Sequence, residues 1–413
     1  MTDSFRSVED GIGELAQVHA RTAVFVMTNT LETGGSERQF VTIANALDRE
    51  KFSVSLGCLK KFGSFVTEVD ELHEFSPEGS LYGVQSWRAR FALSRFLRQK
   101  RVEVAQSFDF YSNLMLIPAA WFARVPVVVG SHRQLGDLLT PRQFKAQNAV
   151  FRFCDRVVCN SRAAARRLRE TGIQGQKLTV IPNGLPDALF ASVAPALPRE
   201  TGVVRIGMIS RMNDPVKGHE VFLRVAQKLT TRHPQLRFVL VGDGPLRVGL
   251  EERARELGLG QRVMFLGERR DVPAVLASLD ISVMPSSSES LSNAILESMA
   301  AGVAVVATEI GGTPDLVEHG KTGLLFSSGD EAQFVAALET LVTRPELRER
   351  FGTCGRDRVR EECALLKVRD RYQDLYCGVL AQKRAGRSGF APHLEADGTG
   401  TRDDSFLDRE LRS

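Results

Sequence analysis

Two carboxylates, two cations and two glycine pairs stand in this chain at spacings that suit work on an anion. Glu289 and Glu297 lie in Ser286-Ser-Ser-Glu289-Ser-Leu-Ser-Asn-Ala-Ile-Leu-Glu297, and Thr308-Glu-Ile-Gly311-Gly312-Thr-Pro314-Asp315 follows one strand later. Asp280 to Met284 reads as a buried strand, the serines and Glu289 as the loop leaving it, and Asn293 to Ala301 as a helix. The pattern repeats: Ala304 to Thr308 is a short apolar strand, Gly311-Gly312 a permissive turn, and Pro314 a favoured first residue of a helix through Val317. Two neighbouring helix starts then aim unpaired backbone N–H groups at one sheet edge, a place for an anion such as a nucleotide diphosphate.

The glutamates themselves admit three readings. A glycosidase pair needs carboxyl groups roughly 5–9.5 Å apart, whereas eight residues of continuous helix span about 12 Å, and an extended loop brings them no closer. A pair of charged acceptors, Glu289 for the hydroxyls of a sugar and Glu297 for a ribose diol, suits the spacing better. The third reading is a solvated helix face.

Arg211 follows a strand directly, and the Asn213-Asp214-Pro215 turn can fold Lys217 back toward the same point. Breaking a sugar–phosphate bond builds negative charge on the diphosphate, which two fixed cations would stabilise more in the transition state than in the ground state. Two solvated surface charges are the alternative. Gly34 and Gly35, after the first strand, allow a donor phosphate or an acceptor to approach without side-chain obstruction. His132 stands just past the apolar strand Val127 to Gly130, at a cleft edge. Gly242-Asp-Gly-Pro-Leu246 lacks the third glycine of a dinucleotide fingerprint and has Pro245 inside the turn.

The elements that must position these residues alternate along the chain. Strands are expected at Ala23 to Asn29, Val54 to Cys58, Val104 to Gln106, Pro126 to Gly130, Arg156 to Asn160 and Lys177 to Ile181. A second series runs through Arg205 to Ser210, Phe238 to Gly242, Val263 to Leu266, Ile281 to Met284 and Ala304 to Thr308. Phe190 to Thr201, with Pro195 and Pro198, reads as a linker. The expected fold is α/β, with two doubly wound Rossmann-like units facing across a deep cleft at the carboxyl ends of their strands.

Composition narrows the classes. The chain has 413 residues, 43% of them hydrophobic, enough for two cores. With 54 Lys and Arg against 50 Asp and Glu, the net charge of +4 is too small to imply nucleic acid. Basic residues do cluster in Arg88 to Arg101 and Arg162 to Arg169. Six scattered cysteines suggest neither a disulfide framework nor a zinc site. No apolar run approaches the ~20 residues that span a bilayer, and Met1 to Arg21 is too polar for a signal peptide, so the chain reads as cytoplasmic.

Glu289 to Glu297, the Gly311-Gly312-x-Pro-Asp turn and His319-Gly-Lys-Thr-Gly-Leu-Leu325 together resemble the donor half of glycosyltransferase family 4. Ile209-Ser-Arg211 through Lys217-Gly-His219, Val241-Gly-Asp-Gly-Pro-Leu246 and Phe265-Leu-Gly267 agree with it. Thr33-Gly-Gly-Ser-Glu-Arg38, Ser131-His-Arg133, Asp155 to Ser161 and Ile181-Pro-Asn-Gly184 resemble its acceptor half. The similarity spans about residues 22 to 380, and its motifs are specific jointly rather than singly.

The resemblance implies the GT-B fold, retention of anomeric configuration and a division of labour between an acceptor half and a donor half. Residues 1–195 would bind the acceptor and 196–367 the nucleotide sugar, 368–382 would be a helix crossing back to the first unit, and 383–413 a flexible tail. It implies catalytic roles for Arg211, Lys217, Glu289 and His132, and donor contacts from Gly34, Gly35, Gly267, Ser290, Leu291, Glu297, Gly311 and Gly312. It implies no metal and no cofactor, only a nucleotide-sugar co-substrate, most commonly UDP-linked, and a saccharide or lipid-linked acceptor of cell-surface polysaccharide assembly. Asp315 departs from the more frequent Glu, and Ser290 and Ser292 from glycine or proline, which bears on which sugar is accepted. A non-transferring GT-B enzyme such as an epimerase, or a silent carbohydrate-binding scaffold, are the alternatives. Trp87 to Arg101 raises peripheral contact with the inner face of the cytoplasmic membrane, but its apolar residues form no single helical stripe, which favours an ordinary half-buried helix.

Overall fold

A computed structural model describes residues 21–388 apart from 78, 80, 82 and 138. The leader reading of residues 1–20 and the tail reading beyond 388 lie outside the described residues. Strands β1 (Thr22–Thr28), β2 (Phe52–Cys58), β3 (Leu72–Glu74), β4 (Val104–Ser107), β5 (Val127–His132), β6 (Arg156–Cys159) and β7 (Leu178–Val180) form a parallel sheet ordered β3-β2-β1-β4-β5-β6-β7. Strands β8 (Val204–Ile209), β9 (Leu236–Val241), β10 (Val263–Phe265), β11 (Ile281–Met284), β12 (Ala304–Thr308) and β13 (Gly323–Phe326) form a second, ordered β10-β9-β8-β11-β12-β13. Runs such as Val127-Val-Val form inner strands because helices cover both faces and no position need be polar.

Helices α1 (Gly35–Ala46), α2 (Val84–Gln99), α3 (Phe110–Ala123), α4 (Pro141–Phe151) and α5 (Arg162–Glu170) belong to the first unit. The second has α6 (His219–Thr230), α7 (Arg247–Glu256), α8 (Val272–Leu276), α9 (Asn293–Ala300), α10 (Thr313–Leu316) and α11 (Glu331–Thr343). Their starts are fixed locally: Asp109, Thr140, Ser161 and Ser292 each accept a backbone N–H as the N-cap of α3, α4, α5 and α9. The linker after Phe190 attaches to the second unit through Ala196 N to Ala274 O and Leu197 N to Ser278 Oγ.

Two long helices close the chain. α12 (Pro345–Cys363) packs on α9 and β12, and α13 (Leu365–Ser388) returns to the first unit. The turn between them is held by Leu185, whose N–H donates to Cys363 and whose carbonyl accepts from Leu365. On α13, Tyr372 and Tyr376 are fully buried against Phe108 and Phe52, and the Tyr376 hydroxyl donates to Gln106 at 2.8 Å. This helix begins three residues before position 368 and continues through Lys383 to Ser388, so the first part of the expected tail is helical. No helix among the described residues is long and apolar enough to cross a membrane.

Two strands had no expectation in the sequence, β3 and β13. Both are edge strands of three or four residues, too short for a period-2 pattern to register.

Candidate functional site

Strand order reverses between β1 and β4 in the first sheet and between β8 and β11 in the second. Loops leaving such a switch point diverge and open a crevice at the carboxyl edge. Thr33 and Gly34 follow β1, Asp109 follows β4, Arg211 and Lys217 follow β8, and Glu289 follows β11. The candidate residues therefore come from the two switch points, one on each unit.

In the second unit three loops stack. Asp214 accepts from Val216 N at 2.9 Å and closes a 3₁₀ turn over Pro215–Lys217. That turn ends at Gly218, with φ +80° and so near the next loop that a Cβ would lie 2.2 Å from the Pro285 carbonyl. Ser287 N donates to Val216 O at 2.8 Å, joining the same loops. The result brings Lys217 Nζ within 2.7 Å of Glu289 Oε2, with side chains 25% and 13% exposed. The third loop is pressed on the second: Gly311 has φ +51°, a Cβ there would lie 1.8 Å from the Glu289 carbonyl, and Gly312 N donates to that carbonyl at 3.2 Å. Farther along the edge, Gly267 accepts from Gly242 N at 2.8 Å, and Gly242 packs against Ser210 and Arg211.

Across the seam, Arg211 Nη1 donates to the Thr33 carbonyl at 3.0 Å. Arg211 thereby closes a cavity of about 430 Å³ whose other lining is first-unit, including Thr33, Gly34, Glu37, Phe62 and Ser64. Lys217 and Glu289 do not line it. Burial raises the Glu37 carboxyl above the usual range; its own backbone N–H pulls it back, Asp109 pushes it up and Arg211 draws it down. Phe62 is 64% exposed, a flat apolar face at the cavity. Neither Glu37 nor Phe62 was singled out by spacing; Glu37, two residues after the Gly34-Gly35 pair, carried the stronger signal.

Glu297 lies inside α9, buried, with Arg38 Nη1 of α1 at 3.9 Å. Burial lifts its carboxyl and Arg38 partly offsets this. Gly35 faces Asn293, a Cβ there lying 3.2 Å from Asn293 Nδ2. Asn293 Oδ1 accepts from Asn183 at 2.5 Å, Asn183 accepts from Arg133 at 2.5 Å, and Arg133 donates to Tyr372 at 3.3 Å. A polar chain thus runs from α13 through β5 to the start of α9.

Ser290 and Leu291 face the seam. The Ser290 hydroxyl donates to Asn160 Oδ1 at 2.7 Å, and Leu291 is buried in an apolar cluster with Leu185 and Ile295. Asp315 accepts from Arg162 N at 2.7 Å at the start of α5, and Ser288 donates to Asp137. Burial raises the Asp315 carboxyl, and the Arg162 N–H leads the opposing contributions.

His132 is the last residue of β5 rather than a residue beyond it, and it is 1% exposed between Phe144 and Phe151. Burial pushes its pKa down to about 4, with Arg167 adding to the effect. With the Gln147 amide donating to Nδ1 at 3.1 Å, the neutral ring carries its proton on Nε2, a buried donor with no partner among the described residues.

Comparison with known proteins agrees with both halves. Residues 33–189 match the model described as Glycosyltransferase Family 4, and residues 203–344 the model described as Glycosyl transferases group 1. The chain is 28% identical to the lipopolysaccharide core biosynthesis glycosyltransferase LpsE of Rhizobium meliloti, covering 85% of this chain and 96% of that one. It is 24% identical to the UDP-Gal:alpha-D-GlcNAc-diphosphoundecaprenol alpha-1,3-galactosyltransferase of Escherichia coli, over 84% and 95%. Among solved structures, Anabaena HepE in complex with UDP and glucose superposes with a TM-score of 0.75 at 20% identity, over 86% and 99% of the two chains. That likeness concerns the fold, two Rossmann-like domains in the GT-B arrangement.

Proposed function

Because this chain belongs to the family 4 and group 1 glycosyltransferases, whose models its two halves match in turn, we propose that it moves a hexosyl group from a UDP-sugar to a lipid-linked saccharide with retention of configuration. The carrying observations are the Lys217–Glu289 contact at the switch point of the second unit and, from the same β8 loop, the reach of Arg211 to the Thr33 carbonyl of the first. Cations there stabilise a departing diphosphate. Glu289 holds sugar hydroxyls, buried Glu297 accepts from the ribose, and the cavity walled by Glu37 and Phe62 receives the acceptor. UDP is favoured by the HepE complex and by the donor in the Escherichia coli enzyme's name, and a lipid-linked acceptor in cell-surface polysaccharide assembly by that name and LpsE.

In the reaction the anomeric carbon–oxygen bond to the diphosphate breaks while the acceptor oxygen bonds to the same carbon from the same face. The acceptor proton passes to the leaving phosphate oxygen, and UDP departs. Closure of the two units excludes water as a competing acceptor. Since Arg211, Lys217 and helix N-termini neutralise the leaving group, turnover does not require a divalent ion.

The test is a panel of nucleotide sugars, with nucleotide release followed with and without polyprenyl-diphosphate saccharides. Acceptor-stimulated release of UDP, undiminished by a chelator, is expected. Release that no saccharide acceptor stimulates would defeat the transferase reading, and full dependence on added Mg²⁺ or Mn²⁺ would defeat the leaving-group account.

A further inference from the structure

The apolar residues of α2 form no single stripe because they form two. Leu93 and Leu97 are buried in the core, whereas Trp87 and Phe91, one turn apart, stand 46% and 57% exposed. The outward stripe continues beyond α2. Phe122 of α3 lies 6.1 Å from the Trp87 ring, 5.7 Å from Phe91 and 5.2 Å from Trp121, and Trp121 lies 5.9 Å from Phe153 after α4. Trp121 and Phe153 are each 55% exposed, so rings from three segments make one continuous aromatic surface facing water. The platform beneath is fixed. Buried Arg90 donates to the Leu114 carbonyl and to Ser86, with its guanidinium 5.1 Å from the Trp87 ring, and Arg98 donates to the Phe122 carbonyl.

Charge on this flank is predominantly basic. α2 contains no acidic residue and α3 no charged one. Residues 84–177 hold 17 Lys and Arg against five Asp and Glu, a net +12 in a chain whose total is +4, so the remainder is −8. Exposed Arg88, Arg95, Arg98, Arg124 and Arg152 adjoin the rings in sequence or on the same helix face.

We propose that this aromatic and basic face docks on an anionic lipid bilayer, the rings entering the boundary between headgroups and acyl chains while the arginines meet lipid phosphates. Exposed aromatics alone would suit many partners; the charge selects among them. A second copy of this chain would set these arginines against their own kind, whereas an anionic leaflet complements them. None of these residues belongs to the cleft, so the inference extends the proposed function to a second surface and is tested without donor or acceptor.

The chain contains two tryptophans, Trp87 and Trp121, and both lie in the patch, so intrinsic fluorescence reports on it specifically. On adding phosphatidylglycerol-containing vesicles the emission of the full-length protein should shift to the blue and be quenched by brominated acyl chains, an effect weakened by salt and absent with phosphatidylcholine alone. Co-sedimentation should fall roughly tenfold or more in Trp87→Ser/Phe91→Ser and in Arg88→Glu/Arg95→Glu, with unchanged circular dichroism and thermal unfolding as the check on folding. No spectral shift with the anionic vesicles, or undiminished co-sedimentation of both variants, would overturn the proposal. So would a concentration-dependent dimer in the ultracentrifuge that Trp87→Ser/Phe91→Ser abolishes, since a second copy would then cover the face.

Discussion

At the scale of single residues, the Lys217–Glu289 contact sets what each mutation should do. Glu289 pairs with Lys217 at 2.7 Å, so the two side chains share one charge balance. On the proposed donor arrangement, removing the lysine would take a cation from the diphosphate and leave the carboxylate facing it, and removing the carboxylate would free the lysine. Lys217→Ala is therefore expected to weaken UDP by roughly 1.5–3 kcal/mol, the worth of a hydrogen bond to a charged group, and to slow transfer by about 10²–10³. Glu289→Gln should bind UDP as well as the parent or better, yet transfer poorly, because free UDP carries no sugar for Glu289 to hold. Glu297→Gln should weaken UDP itself. Calorimetric titration with UDP separates the three, and equal losses in the two glutamate variants would refute the division of sugar from ribose.

At the scale of elements, loops and strand ends hold these side chains through contacts with little slack. Gly311 is left-handed and its missing Cβ is what lets its loop lie on the Glu289 carbonyl. Gly311→Ala should cost roughly 1–2 kcal/mol from the left-handed backbone alone, with the steric overlap added, and should displace Glu289. A lower Tm together with lost transfer is expected; wild-type turnover would show that the loop stacking does not position Glu289. The end of β5 carries a pH signature. His132 is held at about 4 by burial, below the 6.5 of an exposed ring, so the folded state favours the neutral form. Above pH 6.5 both states are neutral and stability is full; as pH falls from 6.5 to about 4 the unfolded chain takes the proton first and stability is lost. That loss amounts to roughly 3 kcal/mol. Buried Glu297 and Asp315, with raised values, work in the opposite sense. The measurement is thus a comparison: the acid-side fall in unfolding free energy should be shallower in His132→Gln, and parallel curves would count against a neutral buried ring.

At the scale of the molecule, the units are joined by polar contacts at the seam and by a helix that belongs to the other unit's core. Val368, Tyr372, Tyr376, Val379 and Leu380 of α13 are all buried among first-unit side chains. At about 1.5–3 kcal/mol for each buried side chain, deleting the chain after Ala364 removes stabilisation comparable to the roughly 5–15 kcal/mol that holds a domain together. Such a truncation should leave the first unit unfolded by circular dichroism and open to proteolysis while residues 203–344 remain resistant. A truncated protein with both units intact would mean that α13 is an accessory, not a part of that core.

The alternation of strands and helices was legible in the sequence because strands covered on both faces are largely apolar, as Val127-Val-Val and Ala304 to Ala307 are, and because Gly, Pro and capping residues punctuate them. The same local logic placed Arg211, Lys217 and Glu289 in the loops leaving strand ends. Which of them meet was decided only by the tertiary structure. Lys217 and Glu289 are 72 residues apart in sequence and touch because Gly218 and Gly311 let three loops stack. Arg38 reaches Glu297, Asp315 reaches the start of α5, and Arg211 closes a cavity around Glu37 and Phe62, all across the seam between units. The two stripes of α2 likewise separate only when α3 lies beside it. A local pattern specifies how a segment folds and which side chains it offers; exposure, burial and partnership depend on what another part of the chain sets against it.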